Sequence, residues 1–178
     1  VDMYAKCGVL VKAQEVLKEM THRDTVAWNA LIAGYVQHEH GHEALDCFAL
    51  MQREGVSPNE VIFLCLMNAY SHSGKPDEAQ MLFGNMIRKN GLTPNIEHYN
   101  CMVDLLSRSG KVAEAVALLE KLEIGPDFVM WNTMLGACRH TLGHSEVGRF
   151  AFELSVELNE EHSAAYALML NTLMWEDA

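Results

Sequence analysis

The stretch Trp28-Asn29-Ala30-Leu31-Ile32-Ala33-Gly34-Tyr35 sets Trp28, Leu31, Ile32 and Tyr35 at i, i+3, i+4 and i+7. That spacing gathers four large side chains on one face of an α-helix. The same face returns as Phe63, Leu66, Met67, Tyr70, then as Tyr99, Met102, Val103, Leu106. It appears again as Trp131, Met134, Leu135, Cys138 and as Tyr166, Met169, Leu170, Leu173, with starts 35, 36, 32 and 35 residues apart. A second helical face follows each of the first: Ala13, Val16, Leu17, Met20; Ala44, Cys47, Phe48, Met51; Ala79, Leu82, Phe83, Met86; Ala115, Leu118, Leu119, Leu122. Those starts are 31, 35 and 36 residues apart. Two amphipathic helices per period predict an all-α fold, an α-solenoid of stacked antiparallel helix pairs. About five repeat units fit, the first and last incomplete, each burying its stripe against a neighbour.

Punctuation along the chain agrees with that reading. Between the helices of a pair stand Lys6-Cys7-Gly8, Gln37-His38-Glu39, His72-Ser73-Gly74, Arg108-Ser109-Gly110 and Thr141-Leu142-Gly143. Glycine past a helix end takes the left-handed conformation that stops it. Glu39 departs from this rule, with Gly41 two residues later. Between pairs stand Arg23-Asp24, Pro58-Asn59, Pro94-Asn95 and Pro126-Asp127, where proline ends one helix and Asn or Asp begins the next turn. Pro76 opens a helix, where its missing N–H is harmless.

Composition narrows the function classes. With 49% hydrophobic and 21% charged residues the chain is ordinary for a folded protein, and no apolar run approaches the roughly 20 residues of a membrane helix. A net charge of −11, with 13 Lys and Arg, argues against tight RNA binding by this segment alone, because phosphate neutralisation supplies much of such affinity. The five cysteines form no CxxC pair, which excludes a zinc ribbon or a thioredoxin-type site. Cys47, Cys101 and Cys138 fall on or beside helical apolar faces and are expected to pack as small hydrophobes. Val1 and Tyr4 align with Ile32 and Tyr35 one 31-residue period later. The sequence therefore reads as a fragment opening inside a helix, with any targeting peptide upstream and residues 1–24 prone to fray or aggregate.

No catalytic constellation emerges, and the chain is expected neither to be an enzyme by itself nor to need a cofactor or metal. His38, His40 and His42, with Glu39 and Glu43, read as a solvated turn rather than a metal site. His140 and His144 straddle a turn and read likewise. His144-Ser145-Glu146 fits the H-x-E of a zinc deaminase in letters, but the P-C-x-x-C that must complete such a site does not follow.

Particular strings carry a family resemblance. Val1-Asp2-Met3-Tyr4-Ala5-Lys6-Cys7-Gly8, Trp28 through Tyr35, Glu97-His98-Tyr99-Asn100-Cys101-Met102-Val103-Asp104-Leu105-Leu106 and Trp131 through Arg139 resemble a plant pentatricopeptide repeat (PPR) protein. The unequal periods resemble its PLS subclass. Residues 1–24 then end a short repeat, 25–59 form a PPR repeat, 60–95 a long repeat and 96–127 a short one. Residues 128–162 resemble a first extension (E) motif and 163–178 a partial second one. The likeness covers essentially the whole chain.

That resemblance implies binding of single-stranded organellar RNA, in the mitochondrion or chloroplast, usually to select a cytidine for C-to-U editing. A cytidine deaminase or editing-cofactor proteins would be partners through the extension motifs. It further implies one base read per repeat by the fifth and last residues: Asn29 with Asn59, Leu64 with Asn95, Asn100 with Asp127. The second residue flanks the base, giving Val26 and Val61, while Glu97 departs from that apolar preference. A carboxylate at Asp127 can accept from the N3–H of uracil but faces a lone pair on cytosine, so that repeat is expected to favour U. An amide at Asn59 can donate or accept, so Asn29/Asn59 is expected to take either pyrimidine. Leu64 cannot hydrogen-bond, so the long repeat reads little. The first extension motif, with Asn132, is not expected to read RNA. After Asn171 the second motif is expected to lack about four residues of its turn, which weakens the expectation of editing. The alternatives are a tetratricopeptide-like protein scaffold, favoured by the acidity, and RNA stabilisation or processing without editing.

Overall fold

The computed structural model describes residues 1–121, 128–138, 149 and 151–153. Among these residues the secondary structure is entirely helical. The elements are α1 (Asp2–Lys6), α2 (Leu10–Glu19), α3 (Thr25–Gln37), α4 (Gly41–Arg53), α5 (Glu60–His72), α6 (Pro76–Arg88), α7 (Ile96–Arg108), α8 (Val112–Leu119) and α9 (Phe128–Cys138). They fall into two compact units, Val1–His98 and Tyr99–Ala178.

In the first unit the leading helix of each pair forms one layer and the trailing helix another. α3 packs between α1 and α5; α2 lies on α1 and α3, α4 lies on α3 and α5, and α6 covers α5. The periodic faces point into this core: Trp28, Leu31, Ile32 and Tyr35 are buried, as are Phe63, Leu66 and Met67. Burial extends further round the leading helices than one stripe, to Ala27, Ile62 and Gly34. The reason is geometric, since a helix flanked by like helices and covered by a second layer faces protein on three sides. α3 meets α1 closely, because a Cβ on Gly34 would lie 2.6 Å from the Ala5 Cβ. Residues 1–24, expected to fray, form α1 and α2, with Ala5, Leu10, Ala13 and Leu17 buried.

The turns inside each pair share one hydrogen-bond pattern. Val9 N donates to Tyr4 O at 2.9 Å, Lys75 N to Tyr70 O at 3.0 Å and Lys111 N to Leu106 O at 2.9 Å. The residue before each donor is a glycine with positive φ: Gly8 at 75°, Gly74 at 64° and Gly110 at 76°. The sequence offers Gly41 as the substitute in the second pair, but Gly41 is already the first residue of α4. Glu39 itself takes φ 64°, and His40 N donates to Tyr35 O at 2.8 Å. A side chain in the left-handed region costs on the order of 1 kcal/mol. Glu39→Gly should therefore raise stability by about 1 kcal/mol, seen as a higher urea midpoint with unchanged slope.

In the second unit α8 packs against α9, and Ser107 Oγ of α7 donates to Met134 Sδ of α9 at 3.6 Å. Met102, Val103 and Leu106 of α7 and Met130, Trp131, Met134 and Leu135 of α9 are buried. The turn at 141–143 and the motif His144-Ser145-Glu146 lie outside the described residues, as do Tyr166 through Leu173 and the expected deletion after Asn171.

Candidate nucleic-acid interface

The leading helices α3, α5 and α7 each begin with a side-chain cap supplied by the residue before it, whereas α1, preceded by Val1, has none. Asp24 accepts from Ala27 N at 2.9 Å, Asn59 Oδ1 from Ile62 N at 3.2 Å. Asn95 Oδ1 accepts from Glu97 N at 3.1 Å and His98 N at 3.2 Å. Such caps satisfy amide groups that have no partner inside the helix, and losing one costs about 1 kcal/mol. The residues that end one repeat in the sequence reading thus open the first helix of the next.

This has a chemical consequence for the expected base readers. A cap requires an acceptor, so the oxygen of Asn59 accepts from the backbone, and Nδ2, the donor of the amide, is the atom left to meet a ligand. The sequence left Asn59 able to donate or accept; the fold holds its oxygen on the backbone and leaves its donor available. Asn95 is held more firmly, because His98 joins it. His98 is 1% exposed; its Nε2 donates to the Glu60 carbonyl at 3.0 Å, and its Nδ1 accepts from Asn95 N at 3.3 Å. His98 occupies the place that Ala27, Ile62 and Met130 fill in the other repeats, all buried. Sequence reading passed over it because a polar residue there does not extend the apolar period.

The fifth residues behave differently. Asn29 Oδ1 and Asn100 Oδ1 are buried and have no hydrogen-bond partner, and the same is true of Asn132 Oδ1. A buried carbonyl without a partner costs roughly 1–3 kcal/mol. Nothing inside the protein pins these carboxamides, so a half-turn about χ2 can exchange oxygen for nitrogen at the surface. Leu64, at the same place in α5, is half-buried and offers no polar atom. Three residues before Asn29 and Leu64 stand Val26 and Val61, exposed by 72% and 52%. Exposed β-branched side chains beside an amide form an apolar plate next to a hydrogen-bonding group. Glu97 is exposed at the equivalent point of α7, and Asp127 lies outside the described residues.

Charge is sparse on α3 and α5, though α7 carries Glu97, Asp104 and Arg108. α3 has none and α5 only Glu60. Several cations are engaged locally: Lys6 with Asp2 at 2.9 Å, Lys12 with Glu15 at 3.0 Å, Arg23 with Glu54, Arg108 with Asp104. A ligand on this layer would meet apolar plates and amides rather than a cationic strip. The histidine cluster lies at the other end of α3 from Asn29 and does not converge. His38 sits over Gly8, where a Cβ would come 3.0 Å from its ring; His40 Nδ1 is 3.1 Å from Glu43 Oε1. His42 borders a cavity of about 370 Å³ with Glu39, Tyr70, His72 and Lys75.

Cys47 and Cys101 are packing residues, whereas Cys7 is exposed. Burial pushes the Cys47 thiol up to about 11, with Asp46 adding to it, and the Cys101 thiol up to about 12, with Asp104 adding to it. The folded state thus holds both as neutral thiols. Their contribution to stability is complete below an unfolded thiol value of about 8.5 and is lost as pH rises toward 11 and 12. At neutral pH a maleimide should label exposed Cys7 and leave Cys47 and Cys101 unlabelled until the chain unfolds. Labelling all three at the same rate would contradict this.

Comparison with known proteins bears directly on this arrangement. A model described as the PPR repeat family matches residues 23–61, and models described as the PPR repeat match 90–123 and both 1–24 and 61–91. A pentatricopeptide repeat-containing protein of Arabidopsis thaliana is 41% identical over 96% of this chain and 31% of its own length. Another, named mitochondrial, is 37% identical over 100% of this chain and 24% of its own. The chain therefore spans between about a quarter and a third of these relatives. Among solved structures, the pentatricopeptide repeat protein PPR10 from maize superposes with a TM-score of 0.74 at 26% identity, over 98% of this chain and 27% of that one. The PPR domain of Arabidopsis thaliana protein-only RNase P 1, in complex with tRNA, gives a TM-score of 0.78 over 99% and 95% of the two chains. At 16% identity that likeness concerns the fold alone.

Proposed function

This chain belongs to the pentatricopeptide repeat family, and from that footing we propose that it is a sequence-selective adaptor for single-stranded RNA, taking one base per reading repeat. The observation that carries the reading is the pairing of a rotatable amide with a pinned one. Asn29 has an oxygen with no partner, while the oxygen of Asn59 is held by Ile62 N. A free carboxamide adapts to whichever edge is offered, so the pinned partner sets the choice. Through its Nδ2, Asn59 donates to N3 of cytosine or to a carbonyl oxygen of uracil. Asn100 with Asp127 favours uracil, whose N3–H meets a carboxylate acceptor. The repeat bearing Leu64 and Asn95 contributes stacking on Val61 and little base choice.

The sparse charge on α3 and α5 supports recognition through bases over phosphates, so affinity should decline only shallowly with salt. The finer reading is of a PLS-type protein whose extension motifs present an organellar transcript for C-to-U editing by a deaminase supplied in trans. What supports it is the resemblance of residues 128–162 and 163–178 to those motifs, together with a relative named mitochondrial.

The test is a titration with single-stranded RNAs that differ at one base. A pyrimidine preference of about tenfold, near 1.4 kcal/mol, at the nucleotide governed by Asn29/Asn59 is expected, with a uracil preference at the one governed by Asn100/Asp127. Equal affinity for all four bases at both would overturn the proposal in favour of a protein scaffold.

A further inference from the structure

We infer that the joint between the second helix pair, α3 with α4, and the third, α5 with α6, is a hinge, while the joint between the first pair, α1 with α2, and the second is locked. The inference concerns how this solenoid moves and holds whatever ligand it takes.

Three contacts close the first joint. α1 and α3 meet at Ala5 and Gly34, where a Cβ on Gly34 would lie 2.6 Å from that of Ala5. The His38 ring covers Gly8, 3.0 Å from where a Cβ would stand. At the other end of the helices Arg23 donates from Nε to Leu17 O at 3.0 Å and from Nη2 to Lys18 O at 3.1 Å, while its Nη1 pairs with Glu54. One planar guanidinium thereby straps the last turn of α2 to the residue that ends α4.

One repeat further on, every one of those contacts loses the residue that closes it. Ala5 and Gly34 give way to Val36 and Ala69, each larger than its counterpart. Gly8 and His38 give way to Glu39 and Ser73, so a hydroxyl stands where a ring stood. That hydroxyl turns back on its own helix and donates to Ala69 O at 2.9 Å. Arg23 and Glu54 give way to Pro58 and Lys89, and proline has no side-chain donor with which to form a strap. The result is visible as space. Val36, Glu39, Ala69 and Ser73 all line the cavity of about 370 Å³, whereas the void between Leu17, Trp28 and Cys47 at the first joint is about 20 Å³. The second joint retains the edge-on contact of Phe48 on α4 with Phe63 on α5. An apolar contact is not directional, so it serves as a pivot. With room at one end and no arginine strap at the other, the third pair rocks about that pivot and changes the step from α3 to α5.

The experiment reads distance distributions between spin labels on the full chain by pulsed electron resonance. The labels ride on a keto amino acid, which leaves the native cysteines untouched. One pair of labels replaces Glu15 and Asp46, across the first joint, and the other replaces Asp46 and Met81, across the second. All three positions are exposed and correspond from repeat to repeat. The second distribution should be at least about twice as wide as the first. Pro58→Arg with Lys89→Glu, which installs the strap, should narrow the second distribution and leave the first alone. Glu54→Ala, which removes the native strap, should widen the first and leave the second alone. Equal widths at the two joints in the wild type would overturn the inference. So would a first distribution that Glu54→Ala leaves unchanged, an outcome that can be read even if the strap-bearing variant does not fold.

Discussion

Phe63→Ala should lower the unfolding free energy by about 3–5 kcal/mol, enough to consume much of the stability of a chain this size. The side chain is fully buried. Its ring meets the edge of Phe48 at 5.8 Å between centroids and 74° between planes, so truncation removes the transfer free energy of a phenyl group and one half of an aromatic pair. α5 carries Phe63 between the layers, with α3 beside it and α4 over it, so the cavity cannot close without separating two helix pairs. Urea unfolding followed by helical signal is the measurement. A loss below about 1 kcal/mol would mean that the leading-helix faces do not form one continuous core.

Gly34→Val has the second largest expected effect, and it tests the contact between α1 and α3. A Cβ at residue 34 would lie 2.6 Å from the Ala5 Cβ, 3.1 Å from its Cα and 3.3 Å from its carbonyl carbon. Two of those three atoms are backbone, so no rotamer change relieves the clash and α1 must move away. Overpacking of this kind costs typically about 1–3 kcal/mol. Amide-exchange protection at Ala5, Cys7 and Val9, whose N–H groups bond back into α1, should vanish while that of α5 persists. Ala5→Gly combined with Gly34→Ala should recover part of the loss relative to Gly34→Ala alone, because it removes the nearest atom and leaves the other two. Unchanged protection in α1 after Gly34→Val would contradict the close approach.

Both effects follow from features the sequence showed unequally. Phe63 was legible at once, because a large apolar residue recurring at i, i+3, i+4 and i+7 can bury itself in only one way. The second buried side, at Ala27, Ile62 and Gly34, was not. It arises from having helices on both flanks, and a single-helix period contains no signal for a neighbour. Glu39 stood out as the exception to the glycine rule. That a glutamate adopts the left-handed conformation, rather than shifting the turn to Gly41, is decided by the hydrogen bond from His40 N to Tyr35 O.

The candidate site was legible as residue types and positions, and much less as chemistry. Asn29, Asn59 and Asn100 carry the same letter and differ in what holds their oxygens. The helix-start signal of Pro58-Asn59 and Pro94-Asn95 could have revealed the caps. The lock that His98 places on Asn95 could not be read, because it depends on a carbonyl 38 residues away in sequence, that of Glu60.

The central claim is that a pinned amide at the end of a repeat chooses the base, and Asn59→Asp tests it most directly. Aspartate keeps the acceptor that caps α5 but replaces the available donor with a second acceptor, so the fold is retained and the recognition chemistry reversed. The measurement is a double-mutant cycle between Asn59→Asp and a cytosine-to-uracil change at the nucleotide whose preference Asn29→Ala abolishes. The account predicts that the variant turns to uracil, with a coupling of at least about 1 kcal/mol. Equal changes in affinity for the two RNAs, and so a coupling of zero, would contradict it.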